Sequence, residues 1–264
     1  MLFNGKYHGA SFAELLQIDY PHLQPTFSVP TTGQPIDIQA PHGTTVLAFK
    51  YADGVLVAGD RLATEGHRVA SRDVEKVFET DAHSLMAISG AAGPCIEMAR
   101  LLGVELEHYE KIEGEALELD GKANRLSNLI RQNLPAAMQG LVVVPLYAGY
   151  DLRRRVGRLW KFDITGGRYE ETEFEATGSG GLFARDSLKN SWREDLSRAD
   201  AVKAAVTALT DAADDDRATG GIDLQRGIYS IIKLASEDGM ETVSEGEIET
   251  IYRELVAARS GGNG

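Results

Sequence analysis

Thr44 follows Gly43 at the mouth of an apolar run, and Asp60 and Lys76 stand 16 and 32 positions beyond it. Inside a chain a threonine hydroxyl is a poor nucleophile. Scission of the Gly43–Thr44 bond would place an α-amine on the nucleophile's own residue, where it can act as the base. Gly-Thr-Thr is also ordinary strand-entry chemistry, with glycine ending a loop and β-branched residues filling the pleat, so the neighbouring elements decide its meaning. Thr45 to Tyr51 reads as a strand, Ala52-Asp53-Gly54 as a turn, and Val55 to Asp60 as a hairpin partner able to return Asp60 towards Thr44. Asp73 to Phe78, taken as a third strand, puts Val74, Lys76 and Phe78 on one half-buried face. An inward lysine requires a partner, and Asp60 is the obvious one.

The elements that must position these residues fall on one side of Gly43. Residues 1 to 43 hold Pro21, Pro25, Pro30, Pro35 and Pro41 and one short helical pattern, Ser11 to Leu16, which is poor material for a core. Beyond them, Cys95 to Lys111 and Lys122 to Met138 carry apolar residues at helical spacing. Strands are predicted at Leu141 to Tyr150, Val156 to Asp163, through Phe174, and at Gly227 to Leu234. Helices are predicted near Leu182 to Trp192, Ala199 to Ala213 and Glu245 to Arg259. Strands in runs separated by paired helices imply an α+β fold, two packed antiparallel sheets with helix layers outside.

Composition bounds the function classes. The 264 residues, 43% hydrophobic and 25% charged, suffice for one sizeable core. A formal charge of −13 argues against nucleic-acid binding, which needs a basic footprint. The N-terminus lacks a signal-peptide pattern, and the longest apolar stretch, Leu141 to Tyr150, is interrupted by Pro145 and too short to span a bilayer. A soluble, cytoplasmic protein with no membrane partner is expected. The single cysteine, Cys95, excludes an internal disulfide and a multi-cysteine metal site, and reads as a buried structural thiol. The six histidines lack metal-ligand spacing, so no metal or cofactor is expected.

Six pieces, in order, carry a family resemblance: Gly43-Thr-Thr-Val46, Val57-Ala-Gly-Asp-Arg61, Lys76, Ile88-Ser-Gly-Ala-Ala-Gly93, Ala176-Thr-Gly-Ser-Gly180 and Asp216-Arg-Ala-Thr-Gly-Gly221. The chain resembles proteasome β-subunit precursors of the actinobacterial type from Gly43 to about Gly239. The resemblance implies the four-layer αββα sandwich of N-terminal-nucleophile hydrolases, a propeptide at 1–43 removed by autocatalytic cleavage at Gly43-Thr44, and a mature domain at 44–264. It implies a threonine endopeptidase with Thr44 as nucleophile, Asp60 and Lys76 beside it, and Gly90 offering an oxyanion N–H. Ser179, Asp216 and Thr219 match positions that bond around the nucleophile's amine. Thr219 stands where serine is frequent, and Leu62 where many relatives have arginine, which removes one supporting charge contact. Ala63, Val74, Phe78, Ile88, Ala92 and Ile96 match pocket-lining positions, all apolar here, and Thr64 matches the residue that holds the substrate backbone. The implied partners are proteasome α subunits and other β subunits in stacked heptameric rings, a ring-shaped ATPase activator, and unfolded protein substrates, bare or tagged by a small protein modifier.

Two other classes compete. Thr177 to Gly181 leads into a helix and could cradle a phosphate, but Phe183 occupies the third glycine position of a dinucleotide fingerprint. A non-catalytic ring subunit of the same fold is the second, and intact Thr44, Asp60 and Lys76 speak against it.

Overall fold

The computed structural model describes residues 43–65 and 68–261. The expected propeptide, with its helical pattern at 11–16, lies outside the described residues except for Gly43. In chain order come β1 (Thr45–Tyr51), β2 (Gly54–Gly59), β3 (Ala63–Glu65), β4 (Arg68–Ser71), β5 (Val77–Asp81) and β6 (Ser84–Ala87). Helices α1 (Ala92–Glu113), α2 (Leu119–Gln132) and α3 (Leu134–Ala137) follow, then β7 (Leu146–Asp151), β8 (Val156–Phe162), β9 (Arg168–Glu171) and β10 (Phe174–Gly178). The chain continues with α4 (Gly181–Ser191), α5 (Arg198–Asp215), β11 (Ile231–Ser236), β12 (Gly239–Thr242) and α6 (Glu245–Gly261).

The strands form two five-stranded antiparallel sheets, in the orders β10-β1-β2-β11-β12 and β5-β6-β7-β8-β9, and a separate β3-β4 ribbon. Val46, Ala48, Val55 and Val57 from the first sheet meet Leu85, Leu146, Ala148 and Leu159 from the second in a dry layer between them. Leu47, Phe49, Leu56 and Ala58 point the other way, onto α4 and α5. Met86, Tyr147 and Trp160 of the second sheet carry α1 and α2 through Leu102, Leu126 and Ile130. The expected αββα layering is therefore present. Because β1 and β2 are buried on both faces, their sequences are continuous apolar runs and not alternations.

Several boundaries differ from the sequence reading, each for a local reason. The strand expected from Asp73 starts only at Val77, so Lys76 is buried in a connecting segment and not through strand alternation. The helix expected to run to Met138 breaks at Asn133, two residues before Pro135, which has no N–H to continue it. Pro145 likewise delays β7 to Leu146. The single strand expected through Phe174 is two strands, β9 on the edge of the second sheet and β10 on the edge of the first. The predicted Gly227 strand begins at Ile231, and its hairpin partner β12 has no counterpart in the sequence reading.

Arg158 of β8 staples the second sheet to α2. It is 4% exposed, chelates Glu170 of β9 through two 2.7 Å bonds, reaches Asp120 of α2 at 2.6 Å and Asp151 at 3.1 Å, and lies 4.7 Å over the Trp160 ring. Hydrogen bonds from Arg158 hold the Asp120 and Glu170 carboxyls below their usual range. Arg158→Met should cost about 2 to 4 kcal/mol in denaturant unfolding at neutral pH, discounted because Asp120 and Glu170 are partly solvated. A depressed carboxylate stabilises above its unfolded pKa and loses that stabilisation as pH falls through the folded value. The gap between the variant and the parent should accordingly narrow below about pH 4.

Candidate active site

The β1–β2 register sets Val46 opposite Gly59, which delivers Asp60 to the start of β1. There the Asp60 carboxylate, fully buried, accepts four donors. Oδ1 takes the Thr45 N–H at 2.8 Å and Lys76 Nζ at 2.6 Å; Oδ2 takes the Leu62 N–H at 2.9 Å and the Gly220 N–H at 2.8 Å. Lys76 Nζ donates a second 2.6 Å bond to the Leu62 carbonyl. Burial lowers the Lys76 pKa, against the opposing pull of Asp60 and Asp216. Leu62 thus serves through its main chain, a role open to any side chain.

Thr44 itself is 6% exposed, and its hydroxyl donates to the Gly43 carbonyl oxygen at 2.8 Å, across the bond expected to be cut. Its N–H donates to Ser179 Oγ at 3.3 Å, while its carbonyl takes the Ser179 N–H at 2.8 Å. Asp216 Oδ2 then collects the Ser179 and Thr219 hydroxyls, each at 2.6 Å. Burial raises the Asp216 pKa, but these two donors, the Ala218 N–H and the Lys76 cation outweigh it and hold the carboxyl below its usual value. Of the three residues expected around the amine, only Ser179 touches the Thr44 nitrogen through its side chain. Asp216 acts on it through Ser179, and Thr219 meets the hydroxyl of Thr45 instead.

Gly43 is held from both sides. Its N–H donates to Thr64 Oγ1 at 3.0 Å, so Thr64 grips by its hydroxyl the chain ahead of the bond expected to be cut. A Cβ on Gly43 would fall 2.3 Å from Ala218 Cβ. Gly90 faces Val143 in a bridge whose bonds run from the Ala91 and Val144 N–H groups, which leaves its own N–H outside that ladder. Its φ of 112° favours glycine, and a Cβ there would lie 2.1 Å from the Val142 carbonyl oxygen.

The expected pocket walls are less uniform. Ile88 is buried in the core under α1, and Phe78 and Ile96 pack against that cluster. Ala63, Val74 and Ala92 are half-buried. A cavity of about 910 Å³ adjoins the site, but its lining runs from Leu62, Thr219 and Gly220 out to Arg61, Arg72 and Arg217 and includes neither Thr44 nor any of these six. Cys95 is buried, donates to the Ser89 carbonyl at 3.4 Å, and has its thiol pushed up to about 12 by burial. The loop before α4 does not offer a phosphate cradle: its Ser179 and Gly180 N–H groups are already bonded to the Thr44 carbonyl and Thr45 Oγ1. Thr45 and the Leu62 main chain are the participants that sequence reasoning missed.

The family model for "Proteasome subunit" matches residues 40–224, a span that contains every residue of this cluster. The chain belongs to the proteasome subunit family. A protein named proteasome subunit beta from Acidothermus cellulolyticus is 50% identical over 254 residues, covering 94% of this chain and 87% of that one. Another of the same name from Acidimicrobium ferrooxidans is 50% identical over 248 residues, covering 94% and 89%. Both relatives agree with the expected place of the chain, a β-type subunit of the proteasome core, and membership implies assembly with other proteasome subunits. No helix among the described residues is long and apolar enough to cross a membrane.

In this proteasome subunit Asp60→Asn keeps one acceptor oxygen but turns an amide NH₂ towards two of the four donors. It should lower the unfolding free energy of the full chain by about 3 kcal/mol, read by denaturant titration, because Lys76 loses its counter-charge inside the protein.

Proposed function

We propose that this chain is a catalytic β-type subunit of the proteasome core particle, a threonine endopeptidase that activates itself by cutting its own Gly43–Thr44 bond. The observation that carries the reading is the Thr44 hydroxyl bonded at 2.8 Å to the Gly43 carbonyl, with the Lys76–Asp60 pair buried in the same cluster. In the first step Thr44 Oγ1 attacks the Gly43 carbonyl carbon and gives up its proton. The C–N bond then breaks, the nitrogen takes a proton, and Gly43 is left as an ester on Thr44. Water hydrolyses that ester, releasing a Gly43 carboxylate and a Thr44 that carries both a free hydroxyl and an α-amine.

The mature site repeats the attack on a substrate carbonyl. The α-amine, with a reference pKa of about 7.7 to 8.0, takes the hydroxyl proton near neutral pH. The Lys76 ammonium spends two donors on Asp60 and the Leu62 carbonyl, and its third hydrogen is left to turn to Thr44 Oγ1 in the mature site and stabilise its alkoxide character. The Gly90 N–H receives the developing oxyanion. Ala63, Val74, Phe78, Ala92 and Ile96, which keep partial exposure, form an apolar wall for the residue before the cut with Ile88 in the core beneath them, and Thr64 holds substrate backbone as it now holds Gly43. The subunit works in the cytoplasm within stacked heptameric rings of β and α subunits, on unfolded chains delivered by a ring-shaped ATPase.

N-terminal sequencing of co-expressed particles should find a chain starting at Thr44, and Thr44→Ala should leave the precursor whole. Full processing of that variant without other active subunits overturns self-cleavage. Lys76→Met in chains supplied already starting at Thr44 should assemble and lose nearly all turnover; near-parental turnover removes Lys76 from the mechanism. Fluorogenic peptides ending in Leu, Tyr or Phe should exceed those ending in Arg or Glu in kcat/KM by at least about tenfold, since an unpaired charge in an apolar pocket is costly. Equal cutting of the Arg peptide would reject the pocket assignment.

A further inference from the structure

We infer that Thr45, the residue after the nucleophile, is a positioning residue that ties the two loops carrying the hydrogen-bond array at the Thr44 nitrogen to the strand that follows Thr44. The inference rests on the threonine-nucleophile reading. Thr45 shares the outward face of β1 with Leu47 and Phe49, so its side chain is buried at the start of α4, away from the Asp60–Lys76 pair. Its hydroxyl lies 2.5 Å from Thr219 Oγ1 and accepts the Gly180 N–H at 3.0 Å. A Cβ on Gly180 would fall 2.4 Å from Thr45 Oγ1 and 2.3 Å from Thr219 Oγ1, so the three groups meet only because residue 180 has no side chain.

Proton counting gives the contact a direction. Asp216 Oδ2 accepts from both Ser179 and Thr219 at 2.6 Å, and each hydroxyl has one hydrogen to give. Thr219 Oγ1 therefore receives from Thr45, whose own oxygen receives from Gly180. On the other arm Ser179 Oγ has spent its hydrogen on Asp216 and faces the Thr44 nitrogen only as an acceptor. An N–H of the freed amine must point at Ser179, which leaves the nitrogen lone pair for the Thr44 hydroxyl. Thr45 closes the far end of this array and ties its two loops, 179–180 and 216–219, to the strand that carries Thr44. Through its N–H, bonded to Asp60, the same residue also anchors the lysine side of the site.

The test uses co-assembled rings whose β chains are supplied already starting at Thr44, with Thr45→Val, Thr45→Ser and Thr44→Ala compared with the parent. Thr45→Val keeps the shape but strands the Gly180 N–H and removes the donor to Thr219. It should form rings, lower kcat about 10- to 100-fold and change KM less than about 2-fold, because it disturbs the base and not the substrate contacts. Thr45→Ser keeps the hydroxyl and should restore kcat to within about 3-fold of the parent. Parental kcat in Thr45→Val, an equal loss in Thr45→Ser, a loss carried by KM, or failure of Thr45→Val to form rings each overturns the assignment. Thr44→Ala separates the two readings. If it is inactive while Thr45→Val turns over normally, only the Thr45 inference falls; if Thr44→Ala itself turns over, the nucleophile reading falls with it.

Discussion

The site hangs on one buried carboxylate. Asp60 gathers the N–H of Thr45, the N–H groups of Leu62 and Gly220, and the ammonium of Lys76, four donors brought from separate stretches of chain. A neutral acceptor could satisfy some of these bonds but could not hold a lysine that is 2% exposed, since a buried cation without a counter-charge costs several kcal/mol. The negative charge is thus needed for Lys76 to stay charged, and the geometry of its two oxygens is needed for three loops to close on one point. Neither requirement can be relaxed without the other, so stability and chemistry are coupled at this residue.

Position and rigidity come from the layers. Because β1 and β2 are buried on both faces, the strand that starts directly after Thr44 cannot shift by one residue without exchanging Val46 and Ala48, which face the second sheet, for Leu47 and Phe49, which face the helices. Such a slip would carry Thr44 to the α4 side and Thr45 to the Lys76 side. The hydrophobic effect therefore selects the face on which the nucleophile emerges. The polar bonds at the strand end then refine its position within that face.

Sequence pattern revealed the parts governed by local rules. The β1–β2 hairpin, the helices from Ala92, Gly181 and Arg198, and the Asp60–Lys76 pair all follow from apolar periodicity and the need of a buried lysine for a partner. What stayed hidden depends on contacts distant in sequence. Lys76 is buried not by strand alternation but by the loop that Asp60 and the Leu62 carbonyl capture. β9 and β10 occupy edges of different sheets although two residues separate them, which no window of sequence encodes. Thr45 could have been singled out, since alternation places its hydroxyl in line with buried Leu47 and Phe49, where a polar group requires partners. Those partners, Gly180 and Thr219, lie 135 and 174 residues away.

The intact chain also explains how a site can be complete in outline and still idle. With the Gly43–Thr44 bond in place, the Thr44 nitrogen already donates to Ser179 and its hydroxyl already meets the Gly43 carbonyl. That nitrogen is an amide, however, and its lone pair is delocalised into the peptide bond and so has no basicity to offer. On the proposed reading, scission changes the electronic character of one atom while its neighbours keep their places. On that reading the precursor is held inactive by resonance, and also by Gly43, whose N–H engages the Thr64 hydroxyl. The surrounding hydrogen bonds can then be built once, during folding, and serve both the single self-directed cut and every later turnover.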